Sequence, residues 1–238
     1  MSMSLSIPEI REQSKPFILP SSKVQVRPGD KWILIGTSGC GKTTGLKYLD
    51  SAYRRLFPDM RHYVLDSKYD GDFDTWPGRV SGDTAPRRPG SNERYQVWQP
   101  SSLIPEEIEK WLWGIRKDAQ QRHQAAVVEI DELVHLVYKQ GSYSQEYNII
   151  LKTGRSLGVG VLTLTQELSK IPANAYKQSN HRLGFYVDAA AEYDRRIRNA
   201  LLKAKLGDPK DPYGFWYQHI NGRGEPEYFP KIQQFLGV

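Results

Sequence analysis

One cysteine, Cys40, is all the chain has in 238 residues. That excludes an internal disulfide or a cysteine-rich metal site, and it suits a reducing compartment. No apolar run approaches the roughly 18 residues of a membrane span. The first residues, MSMSLSIPEIREQSKPF, lack the basic-then-apolar layout of a signal peptide. On its own signals the protein is therefore expected to be cytoplasmic. Internal repeats and low-complexity tracts are missing too. So are zinc-ligand spacings, RNP aromatics and a helix-turn-helix signature, which argues against sequence-specific reading of nucleic acid.

What is there is ordinary for a globular chain: 39% hydrophobic and 25% charged residues. The net charge of +6 permits a polyanionic partner without requiring one. Residues 1–22 are polar and Pro-punctuated and read as an arm; 23–238 read as a single domain. Val24–Val26 and Lys31–Gly36 look like two short strands joined by the turn Arg27-Pro28-Gly29-Asp30. A helix fits Lys42–Leu56, and Arg61–Asp66 a strand. Ser67–Arg94 is a long Gly/Pro/Asp/Arg-rich segment, the main candidate for a functional loop.

Further along, Tyr95–Gln99 is a strand. A helix opens at Pro105-Glu106-Glu107, where its first turn tolerates proline and favours acids. Ala125–Asp131 and Val159–Gln166 are buried strands around a helix over Tyr143–Leu157. The tail offers a strand over His181–Asp188, a basic helix over Ala189–Lys205, and a terminal hairpin of Gly214–Ile220 with Pro226–Phe229. This alternation implies βαβ units, hence a mostly parallel sheet covered by helices on both faces.

Gly36-Thr37-Ser38-Gly39-Cys40-Gly41-Lys42-Thr43 matches G-x-x-x-x-G-K-[ST] between a strand and a helix. Its glycines let backbone N–H groups turn in around a phosphate, with Lys42 on the outer phosphates and the Thr43 hydroxyl on Mg²⁺. Thr44 completes the candidate nucleotide-binding set. Cys40 fills a free position of the motif as a small residue. ATP and Mg²⁺ are the expected cofactors.

Hydrolysis needs a second site. AAVVEIDE is a core strand ending in Asp131-Glu132, the first acid placed to orient Mg²⁺ through water and the second to polarise attacking water. Glu129 shares a side with Asp131 by period 2 and has two readings, lining the site or facing a basic partner. Gln166 ends the strand expected beside that of Asp131, so it reaches the crevice outside the strands' carboxyl ends. Arg155, one turn before Gly158, points away from those ends.

The string GRSLGVGVLTLTQ resembles the G-R-x-x-G-[IV]-x-[LV]-x-x-x-T-Q signature of the FtsK/HerA superfamily of ring-forming DNA-pumping ATPases. GTSGCGKT, the D-x-K of Asp66-Ser67-Lys68, and Ile130-Asp131-Glu132 occur in the superfamily's order. The match runs over Lys31–Gln166. The resemblance implies a RecA-like P-loop NTPase core with a small terminal β-hairpin, a homo-oligomeric ring such as a hexamer, DNA-stimulated ATP hydrolysis, and Arg155 as an arginine finger acting in trans. In size and in its lack of extra domains the chain is similar to genome-packaging ATPases of membrane-containing icosahedral double-stranded DNA viruses. That likeness implies a capsid vertex or membrane-associated portal proteins as further partners.

A ring motor grips backbone phosphates of duplex DNA, because those contacts serve any sequence. Lys139 is the first candidate, Arg79, Arg87 and Arg88 the second, and Arg195, Arg196 and Arg198 the third, each equally readable as a solvated basic surface. Three alternatives stay open. One is a cellular or plasmid DNA-transfer motor of the same superfamily. Another is a small-molecule P-loop kinase, which leaves Asp131-Glu132 and Gln166 unexplained. The last is a nucleotide-gated switch with little turnover.

Overall fold

The computed structural model describes residues 17–18, 24–68, 71–87, 93–138, 143–167, 170–186, 213–219 and 227–236. Its strands are β1 (Phe17–Ile18), β2 (Gln25–Val26), β3 (Lys31–Ile35), β4 (Arg61–Leu65), β5 (Arg79–Ser81), β6 (Tyr95–Gln99), β7 (Ala126–Ile130), β8 (Val159–Thr165), β9 (His181–Gly184), β10 (Phe215–His219) and β11 (Glu227–Phe229). Among the described residues the α-helices are α1 (Lys42–Leu56), α2 (Pro105–Arg122), α3 (Gln145–Leu157), α4 (Ala173–Gln178) and α5 (Ile232–Leu236), with a 3-10 turn at Leu133–Leu136.

Nine strands form one sheet in the order β11-β10-β9-β3-β8-β7-β4-β6-β5. From β9 to β5 all pairs are parallel, and β10 and β11 extend the sheet antiparallel beyond β9. Every residue of β3, β4, β7 and β8 is buried. Strands buried along their whole length need cover on both faces. Ile33, Leu65, Val128 and Val161 pack under Ile108, Leu112 and Ile115 of α2 and Ile150 and Leu151 of α3. Trp32, Leu34, Val127 and Leu162 pack on the other face under Leu46, Leu49 and Tyr53 of α1, with Phe215, Phe229 and Phe235 closing the same layer.

Several expectations need correction. β2 does not pair with β3; it pairs antiparallel with Phe17–Ile18 in a separate two-stranded sheet. The 67–94 segment is not structureless, because Arg79–Ser81 adds the edge strand beside β6 and Phe73 is fully buried. β9 ends at Gly184, short of Asp188, although Phe185 N–H still donates to the Ile35 carbonyl at 2.8 Å. α3 begins at Gln145 rather than Tyr143, since the Ser144 side chain caps it by accepting from the Tyr147 N–H at 3.0 Å. The basic helix expected over 189–205 lies outside the described residues, as does the arm apart from Phe17–Ile18.

Candidate active site

The phosphate loop leaves β3 with its entry held on both sides. Gly36 N–H donates to the Thr165 carbonyl of β8 at 3.2 Å, and Thr37 N–H to the Tyr186 carbonyl at 2.9 Å. Gly39 and Gly41 take φ of 75° and 90°, backbone that disfavours any side chain. Gly41 is the N-cap of α1, whose first turn has no side-chain cap and no acid. The positive end of the helix dipole thus faces the loop with no side-chain cap or acid to offset it, the potential an anion needs. Ser38, Gly39 and Thr44 are exposed and Thr43 is half-buried at the same helix start.

Lys42 reaches back over the loop. Its buried ammonium donates to the Thr37 carbonyl at 2.5 Å and lies 3.7 Å from Cys40 Sγ. Burial lowers its pKa, and the charges of Lys68 and Glu132 act on it as well, so loop and carboxylates share one electrostatic neighbourhood. Burial likewise pushes the Cys40 thiol up, consistent with a packing role.

Asp131 and Glu132 follow β7 directly and are both buried. Glu132 Oε1 accepts the backbone N–H of Gln166 at 3.3 Å, which ties the carboxylate to the end of β8. Burial raises the Glu132 pKa, opposed by Lys68 and by hydrogen bonds from Gln166 and Thr165. Lys68 Nζ stands 3.2 Å from Asp131 Oδ1 and donates to the Asp131 carbonyl at 3.1 Å. Beside it, Ser67 Oγ and His135 Nδ1 are 2.5 Å apart. The D-x-K motif by itself gives Lys68 no role; only the β4–β7 pairing shows which carboxylate it meets.

The structure therefore brings Lys42, Lys68, Asp131, Glu132 and Gln166 to one end of the sheet. Arg155 is at the other end, on the last turn of α3, half exposed, its Nη2 3.5 Å from Oδ1 of Asp30 just before β3. A strand length, roughly 16 Å by rise per residue, separates the two ends. Glu129 does not line the nucleotide site. It is buried on the α1 face with Asp50 and His62, since β7 stops at Ile130 and the period of two stops with it. Of the DNA candidates, Arg79 pairs with Asp74 at 2.7 Å and Arg87 is exposed. Arg88, Lys139, Arg195, Arg196 and Arg198 lie outside the described residues.

No protein-family model matches the chain. The aliphatic sulfonates import ATP-binding protein SsuB of Bacillus subtilis (strain 168) is 28% identical over 167 residues, 68% of this chain. The chain's match spans about half, 55%, of that relative's length. Among solved structures, the genome packaging NTPase B204 of Sulfolobus turreted icosahedral virus 2, in complex with ATP-gammaS, superposes with a TM-score of 0.68. Its identity is 17%, over 85% of this chain and 98% of that one. The pCW3 conjugation coupling protein TcpA, with ATPgS, gives a TM-score of 0.57 at 15% identity, over 95% of this chain and 68% of that one. At such identities the likeness establishes the fold, that of an α/β P-loop NTPase.

Proposed function

We propose that this α/β P-loop NTPase is an ATP-hydrolysing motor that assembles as a ring, such as a hexamer, and drives double-stranded DNA into a viral capsid. The observation that carries the reading is the split of the chemistry between the two ends of the sheet. Lys42, Asp131, Glu132 and Gln166 converge at one end, and the half-exposed Arg155 stands at the other, beyond reach of its own phosphate loop.

In this reading the Gly36–Thr44 backbone and Lys42 hold the triphosphate, the uncapped start of α1 adding positive potential. The residues fit a hydrated magnesium ion: Thr43 offers a hydroxyl on the first turn, and Asp131 a carboxylate carried on the adjoining strand end. When bound, Mg²⁺ neutralises charge on the phosphate oxygens. Glu132 takes the proton of the attacking water, a task helped by the pKa that burial lifts towards working pH. Gln166 orients that water, and Arg155 of a neighbouring subunit stabilises the charge that develops, worth on the order of 10³ to 10⁵ in rate.

The likeness to a genome packaging NTPase over most of both chains supports the viral setting, with work at a capsid vertex or in host cytoplasm beside portal proteins. The likeness to a conjugation coupling protein supports a second reading, a DNA-transfer motor of cellular or plasmid origin. A switch with little turnover has no use for both Glu132 and Gln166. The test is phosphate release by the assembled protein with and without duplex DNA. Release should rise with DNA and vanish in Glu132→Gln and Arg155→Ala while both still bind ATP. A strict monomer under all nucleotide and DNA conditions, or normal turnover in Arg155→Ala, overturns the ring motor.

A further inference from the structure

The end of the sheet opposite the phosphate loop holds a second built polar group. Asp30 closes the Arg27–Asp30 turn and is buried, 1% exposed. Its Oδ2 accepts the Arg27 N–H at 2.7 Å and lies 3.2 Å from His181 Nε2, while Oδ1 accepts from Asn180 Nδ2 at 2.9 Å. His181 is fixed in turn, stacked on Trp32 with ring centroids 3.8 Å apart and with Nδ1 2.9 Å from the Tyr217 hydroxyl. Burial opposes a charge on Asp30, but His181, Asn180 and the Arg27 N–H outweigh it and hold the carboxyl below its usual range. Burial also keeps His181 down in spite of Asp30. The imidazole is thus held between the Asp30 carboxylate on its Nε2 side and the Tyr217 hydroxyl on its Nδ1 side.

More apparatus surrounds this carboxylate than a turn requires, and its Oδ1 also faces Arg155 Nη2 at 3.5 Å. On the other side Lys31 repels the guanidinium; its own pKa is lowered by burial first and then by the Arg155 charge. The backbone carrying Arg155 is seated on the same turn. Gly29 has φ of +85°, and a Cβ there would come within 2.7 Å of Arg155 Cα. A Cβ at Gly154 would come within 2.3 Å of the Val159 carbonyl oxygen. Both the main chain and the guanidinium of Arg155 are thus referenced to one turn. The contact uses Nη2 and leaves other guanidinium N–H groups for a phosphate.

We infer that Asp30 is a positioning residue for Arg155, holding the guanidinium in the orientation in which it enters the nucleotide site of an adjacent copy of this chain. The inference rests on the ring reading above and deepens it: the loss of Asp30 should damage the neighbour's hydrolysis, not its own subunit's. A misplacement of about 1 Å at such a group is enough for a loss of roughly 100-fold.

Mixed assemblies test this. Asp30→Asn subunits keep their own phosphate loop, and Lys42→Ala subunits keep their own arginine. Asp30→Asn alone should lose roughly 10- to 100-fold in turnover with unchanged affinity for a fluorescent ATP analogue. Mixed with inactive Lys42→Ala subunits, it should regain activity above the sum of the two separate preparations. Arg155→Ala mixed with Lys42→Ala is the control for the trans arrangement. If the control recovers and the Asp30→Asn mixture does not, Asp30 serves its own subunit's site or fold, and the inference fails. If the control itself does not recover, the ring reading fails. Should Asp30→Asn not fold, Asp30→Ser carries the same test, since a serine hydroxyl can still accept the Arg27 N–H but cannot reach Arg155. Wild-type turnover by either variant alone also overturns the inference.

Discussion

Two acidic groups ride on β7 and the chain just after it, and they are built to opposite ends. Glu129 is fully buried on the α1 face, within reach of Asp50 and His62. His62 Nδ1 is 2.5 Å from Asp50 Oδ1 and 3.6 Å from Glu129 Oε1, and Arg54 pairs with the other Asp50 oxygen. These close approaches tie α1, which carries Asp50, to β4 and β7. Asp131 and Glu132 have Lys68 and Lys42 as their cations, on loops and at a helix start that face the phosphate-binding glycines. The same residue type thus ties α1 to the sheet in one place and is offered to chemistry in the other. Burial alone does not separate them; what the neighbouring cations are attached to does.

The sharpest way to break this contrast is to exchange one carboxylate at a time for its amide. Glu132→Gln should lower turnover by about 10² to 10⁴ while ATP still binds, whereas Glu129→Gln should stay within about twofold; steady-state phosphate release on both variants decides it. An equal loss in the two would erase the distinction. Lys68→Ala removes the cation beside Asp131 and should reduce turnover about tenfold or more, whereas Arg54→Ala, beside Asp50, should act on melting temperature and leave turnover alone.

A smaller effect is expected on stability. Glu129→Ala opens a cavity among Asp50, His62 and Val127 and should cost about 2–4 kcal/mol in denaturant unfolding. The pH dependence gives the finest test. Burial, then the charge of Asp50, raises the Glu129 pKa well above the ordinary value, so the native state keeps a proton that the unfolded chain has lost. In that window the unfolded state binds fewer protons. Stability therefore falls as pH rises above about 4.3 toward the folded pKa. Glu129→Gln should flatten that fall, measured as unfolding midpoint against pH; an unchanged slope would mean Glu129 is ionised in the native protein.

Much of this was readable from the chain because it is local. Lys42–Leu56 stands where glycine, lysine and a 3.6-residue pattern put it, and β8 and most of β7 are apolar enough to read as interior. β5 was not readable: Arg79, Val80 and Ser81 are all exposed and hold together through pairing with β6, which leaves no apolar alternation. The terminal hairpin was foreseen, but not its docking on β9, a pairing set by residues far apart in sequence. Asp30 sat in an unremarkable R-P-G-D turn. Its partners Asn180 and His181 come from 150 and 151 positions later, counting from residue 30 to 180 and 181. Glu129 was ambiguous for a different reason, because alternation says which face a residue takes only while the strand lasts.

Helix α3 has one more consequence. Its first turn is clamped: Glu109 accepts the N–H groups of Gln145 and Glu146, each at 2.8 Å, and Arg116 grips Glu146 through two hydrogen bonds. Its last turn bears Arg155, about 15 Å away along the axis of a 13-residue rod. Held at one end by Glu109 and Arg116 and seated at the other against Gly29, the helix is a strut that sets where Arg155 stands from both of its ends.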